Sequence, residues 1–216
     1  MNRQSQRKQR DLWNSLRQLH AERRKAIQRR LGEFANLPTS EYFYELAYCL
    51  MTPQTSAEHA DRVVQALRRL AFEREAIDPE PLLRDRRNYI RFHKTKSRNL
   101  VRIKQQFPEI LDAIARSWSP GELRDWLVRN VKGLGYKEAT HFQRNIGKNG
   151  GLAILDRHIL RNLKRYGVLR SLPATLSRKR YFAIERRFAK FSEDIGIPLD
   201  ELDLLFWSME TGEIRK

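Results

Sequence analysis

Val131-Lys132-Gly133-Leu134-Gly135-Tyr136-Lys137 joins two stretches of helical periodicity, and its reading decides the fold. Upstream, Ser119-Pro120-Gly121-Glu122 is a capping box with Pro at the first helical position, and Leu123, Trp126, Leu127 and Val131 follow on one face. Downstream, a second helix begins at Tyr136 and turns Ala139, Phe142 and Ile146 inward. Two glycines around one apolar residue permit a tight helix-hairpin-helix over roughly residues 121–147. Backbone N–H groups opening the second helix then face outward, a ready seat for phosphate, so Gly133 and Gly135 are candidate DNA-binding residues. An ordinary antiparallel helix turn closed by glycine accounts for the same residues equally well.

Outward from the hairpin the helical theme continues. Leu12, Leu16 and Leu19 form a stripe in an N-terminal helix, and Ser40 precedes the apolar EYFYELAYCLM, which reads as a central buried helix. Thr55 or Ser56 opens a helix carrying Ala60, Val63, Val64, Leu67 and Leu70, and Asp78-Pro79 starts a short one ending near Arg87. Residues 96–106 and 108–117 read as two helices broken at Pro108. After the glycines of 147–151, a helix runs from Asp156 to Tyr166, and Ser177–Phe191 and Leu199–Thr211 close the chain. Ten or so helices and no convincing strand make the expected fold all-α.

Composition bounds the rest. A chain of 216 residues, 40% hydrophobic, has enough apolar side chains for a core, as one domain or two small lobes sharing it. A single cysteine, Cys49, excludes a disulfide framework and a four-cysteine zinc or iron–sulfur site. The sequence has no run of eighteen apolar residues and no apolar leader, so an intracellular, membrane-free protein is expected. The net charge of +17 calls for a polyanionic partner. That charge is concentrated: residues 1–30 hold ten Lys/Arg against Asp11 and Glu22, and residues 139–184 hold ten more against Asp156 alone.

Two residues in this pattern carry chemistry. Lys137 lies in the first turn of the second hairpin helix, where the positive end of the macrodipole is an unfavourable place for an ammonium. A neutral lysine amine is a nucleophile for Schiff-base formation. The rival reading is one more surface lysine or phosphate contact. Asp156 is the only carboxylate between Glu138 and Glu185. It fits the N-cap of the helix starting at Arg157, and a carboxylate so held is also placed to stabilise positive charge developing on a sugar.

The run Gly133-Leu134-Gly135-Tyr136-Lys137-Glu138-Ala139, followed by Leu152-Ala153-Ile154-Leu155-Asp156-Arg157-His158, resembles the helix-hairpin-helix DNA glycosylases. The similarity is to their archaeal-type branch of 8-oxoguanine glycosylase/lyases. It extends to Arg91-Phe92 before a basic helix and to the ending from Leu204 through Trp207 to Lys216. The resemblance implies one catalytic unit of two helical lobes over residues 1–216, flanking a DNA-binding cleft into which the damaged nucleotide is flipped. It makes Lys137 the nucleophile at the anomeric carbon and Asp156 the stabiliser of the oxocarbenium-like transition state, with no metal or other cofactor.

The same resemblance assigns Phe92, Trp207 and Lys216 to the lesion pocket. It assigns Gln54 to probing the hole left by flipping and His158 to a phosphate. Taken alone, Trp207 reads equally as core, Gln54 as a polar loop residue and His158 as a helix-surface histidine. The implied partner is duplex DNA containing 8-oxoguanine or abasic sites, met by a monomer in the cytoplasm at the nucleoid. Two alternatives stand beside this: the same chemistry on another damaged base, and a non-catalytic helix-hairpin-helix DNA-binding module.

Overall fold

The computed structural model describes residues 3–214, and among these every regular element is helical. Besides two short 3-10 turns, Thr39–Glu41 and Arg86–Asn88, the α-helices in chain order are α1 (Arg3–Ala35), α2 (Tyr42–Met51), α3 (Ala57–Arg69), α4 (Glu80–Arg84) and α5 (His93–Ala115). Then come α6 (Pro120–Asn130), α7 (Tyr136–Asn145), α8 (Arg157–Arg165), α9 (Arg178–Ile195) and α10 (Leu199–Thr211). They form two compact units. One is the continuous segment Leu37–Lys148, and the other is built from the chain up to Asn36 and from Asn149 on.

The continuous unit is organised around α2. Every residue from Phe43 to Met51 is buried, as a sequence apolar on all faces requires, and α2 packs against α3, α5 and α7. Fully burying a large side chain such as Phe43, Leu46 or Met51 contributes about 1.5–3 kcal/mol. Cys49 lies within it, fully buried. Ser56 caps α3 by accepting from the His59 N–H, and the Ser119–Glu122 capping box on α6 closes reciprocally, as expected.

Pro108 does not break the chain into two helices. It sits inside the 23-residue α5. Proline has no N–H to give the Lys104 carbonyl, but Ile103, Phe107, Ile110 and Ile114 continue one buried stripe through it. Packing on both sides of the proline outweighs the missing ladder bond.

In the second unit α10 packs against α1, α8 and α9. Its Phe206 stacks on Tyr166 at 5.4 Å and on Phe188 at 5.8 Å, with the rings nearly parallel. Polar pins line α1. Arg17 Nε donates to the Ile195 carbonyl at 3.0 Å, His20 Nε2 meets Glu201 at 2.5 Å, and Arg23 donates to the Ser208 hydroxyl at 2.7 Å. Part of the basic N-terminal span is therefore spent on holding the unit together.

Candidate active site

The hairpin lies within the continuous unit, and its two glycines differ in kind. Gly133 adopts φ +102°, and a β-carbon there would stand 2.5 Å from Asn99 Nδ2 and 3.0 Å from Leu50 Cδ2. Neither the conformation nor the space admits a side chain. Gly135 is extended at φ −94°, and a β-carbon there would meet only the Glu138 carboxylate at 3.0 Å. The requirement for glycine backbone freedom expected at both positions exists only at Gly133. Leu134 between them is buried in the core and its N–H bonds the Val131 carbonyl at 3.2 Å, so the hairpin is anchored from inside.

Gly135 caps α7 without a side chain, leaving the first-turn N–H groups of the helix without a capping oxygen. Lys137 stands in that turn with about a quarter of its side chain exposed, and its Nζ lies 3.5 Å from Glu138 Oε1. Among the described residues this is the one ionic neighbour of the amine, and at 3.5 Å it is a loose one.

Asp156, in the other unit, is held far more firmly. It is the N-cap of α8, and its Oδ1 accepts from the backbone N–H groups of His158 and Ile159, both at 2.8 Å. Its Oδ2 accepts from the indole Nε1–H of Trp207 at 3.0 Å. Trp207 is half-buried and meets the His158 ring edge-on at 5.8 Å. The His158 Nδ1 in turn faces Glu210 at 3.5 Å. Asp156, His158 and Trp207 thus form one cluster at the start of α8. The Asp156–Trp207 bond spans 51 residues of sequence, which no local pattern reveals.

The DNA-contact candidate Gln54 and the lesion-pocket candidate Phe92 sit on two turns of the continuous unit. Gln54 is exposed at φ +55° and Phe92 at φ +60°, both in the left-handed region although neither is glycine. Phe92 is 52% exposed at the N-cap of α5, with the Arg91 guanidinium 5.0 Å from its ring centroid. Lys216 lies outside the described residues. Among the described residues, no group of three or more His, Cys, Asp or Glu side chains is gathered as a metal site, and no helix is long and apolar enough to cross a membrane.

One residue of consequence was not singled out by the sequence reading. Lys96, on α5, is only 6% exposed and its Nζ donates to the carbonyls of Met51 and Pro53, both at 2.7 Å, and to the Thr55 hydroxyl at 3.1 Å. Burial pushes this ammonium down to about 8; the nearby charge of Lys137 adds to that and Glu138 opposes it. A signal was present: the stripe Leu100, Ile103, Phe107, Ile110, extended one turn back, lands on Lys96.

A family model described as 8-oxoguanine DNA glycosylase matches residues 27–197. The 8-oxoguanine DNA glycosylase/AP lyase of Korarchaeum cryptofilum is 40% identical over 209 residues, covering 95% of this chain and 98% of that one. The protein of the same description from Fusobacterium nucleatum is 35% identical, covering 97% and 100%. Among solved structures, the Methanocaldococcus jannaschii 8-oxoguanine glycosylase/lyase in complex with a 15mer DNA containing 8-oxoguanine is similar at a TM-score of 0.84. It is 31% identical, covering 95% of this chain and 99% of that one. The chain belongs to the 8-oxoguanine DNA glycosylase family.

Proposed function

We propose that this protein is a bifunctional repair enzyme that excises 8-oxoguanine from duplex DNA and cleaves the strand 3′ to the resulting abasic site. Lys137 Nζ attacks the anomeric carbon and the bond from that carbon to the base breaks, the base leaving with its bonding electrons and taking up a proton. The sugar ring opens to a protonated imine on Lys137. Loss of a C2′ proton then expels the 3′ phosphate oxygen by β-elimination, and water releases the lysine. Asp156 offers its negative charge to the oxocarbenium-like transition state and accepts protons in the later steps.

The observation that carries this reading is the unlike treatment of the two groups. Among the described residues, the carboxylate accepts three N–H bonds, while the amine has a single ionic neighbour at 3.5 Å. Electrostatic stabilisation needs a fixed charge, whereas a nucleophile must travel to carbon and then carry the sugar. Phe92, Trp207 and Lys216 contribute to the lesion pocket, and Gln54, His158 and the backbone at Gly133 and Gly135 contact DNA. The enzyme works as a monomer at the nucleoid.

Borohydride trapping tests the mechanism. Native protein mixed with an 8-oxoguanine duplex forms a covalent adduct, and Lys137→Gln forms none. Absence of an adduct from the native protein sinks the Schiff base; an adduct with abasic DNA but not with 8-oxoguanine DNA discards the substrate and keeps the lyase.

A further inference from the structure

Three non-glycine residues of the continuous unit lie in the left-handed region, and two of them, Gln54 at φ +55° and Phe92 at φ +60°, are site candidates with exposed side chains; the third is Ala71 at φ +49°. That region is strained for a residue with a side chain, and the Gln54 and Phe92 turns persist only where their surroundings over-determine them. The surroundings are shared. Lys96 Nζ gathers the Met51 and Pro53 carbonyls, which flank the Gln54 turn, and the Thr55 hydroxyl. That same hydroxyl accepts from the Arg91 N–H at 3.3 Å, the residue before Phe92, and donates to the Pro53 carbonyl at 3.4 Å.

The Thr55 oxygen therefore uses both acceptor positions and its one proton, and the two turns, far apart in sequence, are bonded through a single atom. Lys96 itself lies one turn into α5, whose first residue follows Phe92, and the Phe92 carbonyl accepts the Lys96 N–H at 3.0 Å. Three residues further along α5, Asn99 abuts Gly133, so the same helix face carries the hairpin.

We propose that Lys96 and Thr55 are positioning residues for base excision: the ammonium and the hydroxyl lock the Gln54 and Phe92 turns into one edge of fixed shape, which distorts the duplex at the lesion. Neither residue touches the reacting atoms. The inference rests on the reading that Gln54 and Phe92 engage DNA. Burial of an ammonium among carbonyls rather than in water is the sign that the fold tolerates an unfavourable group for the sake of this lock.

The test separates hydrogen bonding from packing. Thr55→Val keeps the shape and removes the bonds; Thr55→Ser keeps the bonds and trims a methyl. Single-turnover excision on an 8-oxoguanine duplex falls about tenfold in Thr55→Val and stays within about twofold in Thr55→Ser, while cleavage of a preformed abasic duplex stays within about twofold in both. Fluorescence of 2-aminopurine beside the lesion, which reports unstacking, falls with excision. Lys96→Met loses at least as much excision; should it fail to fold, the threonine pair decides alone.

Equal losses in Val and Ser, loss of neither, or parallel loss of excision and abasic cleavage would overturn the proposal. Gln54→Ala and Phe92→Ala serve as the separate check. If they leave excision and fluorescence unchanged, the DNA-contact reading of the turns fails. If they lose both while Thr55→Val does not, only the lock fails. Thr55→Val added to Phe92→Ala causes little further loss; full additivity of the two would also overturn it.

Discussion

The unit carrying Asp156 and the unit carrying Lys137 solve opposite problems. Around Asp156 every donor is fixed: two backbone N–H groups on one oxygen and a half-buried indole on the other. Around Lys137 the fixing is done to the backbone, through buried Leu134 and the Gly133–Asn99 contact, while the amine keeps one loose neighbour. An electrostatic stabiliser loses its value when it can turn away from the developing charge, so it is held at the side chain. A covalent nucleophile is held at its root and left free at its tip.

The contrast breaks most visibly by exchanging groups at constant size. Lys137→Gln lowers strand cleavage by at least about a thousandfold in single-turnover assays, while its melting temperature stays within about 2 °C because the removed group makes only the loose Glu138 contact. Asp156→Asn keeps an Oδ1 for the helix cap but loses the charge and turns an amide donor toward the Trp207 N–H, so excision falls about a hundredfold or more and stability falls by about 1 kcal/mol. If Lys137→Gln proved the less stable of the two by several degrees, the assignment of free and fixed groups would be reversed.

Trp207→Phe sharpens the comparison by one bond. The ring remains, the N–H to Asp156 goes, and excision falls about tenfold in the same assay. A native rate in Trp207→Phe, alongside a lost rate in Trp207→Ala, would leave the ring as packing or stacking surface only.

Within the hairpin the two glycines give a matched pair. Gly133→Ala meets both a positive φ and Asn99 Nδ2 at 2.5 Å, whereas Gly135→Ala meets a movable carboxylate. Denaturant titration of Gly133→Ala is expected to show a loss of about 2 kcal/mol or more, and of Gly135→Ala about 0.5 kcal/mol or less.

The smallest effect is a pH dependence at Lys96. Its folded value of about 8 lies below the ordinary 10.5, so between those values the unfolded chain binds more protons and this group makes the fold relatively more stable as pH rises. Lys137 and Glu138 are the charges that act on it. The stability of native protein relative to Lys96→Met, followed by urea titration, rises through that window; a flat difference would contradict the burial of the ammonium.

Much of this was legible in the sequence because the relevant physics is local. Capping by Ser119 and Asp156 and the all-round burial of Phe43–Met51 are set by neighbours within a turn or two. Pro108 misled because its local cost is real and only the continuous core beneath α5 shows that it is outweighed. The Asp156–Trp207 bond and the Lys96–Thr55 lock join residues 51 and 41 positions apart, so nothing in their immediate sequence context marks them. The two glycines look alike on paper, and only the backbone angle tells them apart.

The interrupted chain path of the unit holding Asp156 sets an order for synthesis. Leu37–Lys148 is continuous and can complete its core as soon as it leaves the ribosome, with the hairpin lysine already in place. The other unit must wait, because α1 packs on α10 and the indole that steadies Asp156 is residue 207. A chain cut short before Trp207 therefore presents the hairpin amine without a steadied carboxylate, which exists only once α10 has been made.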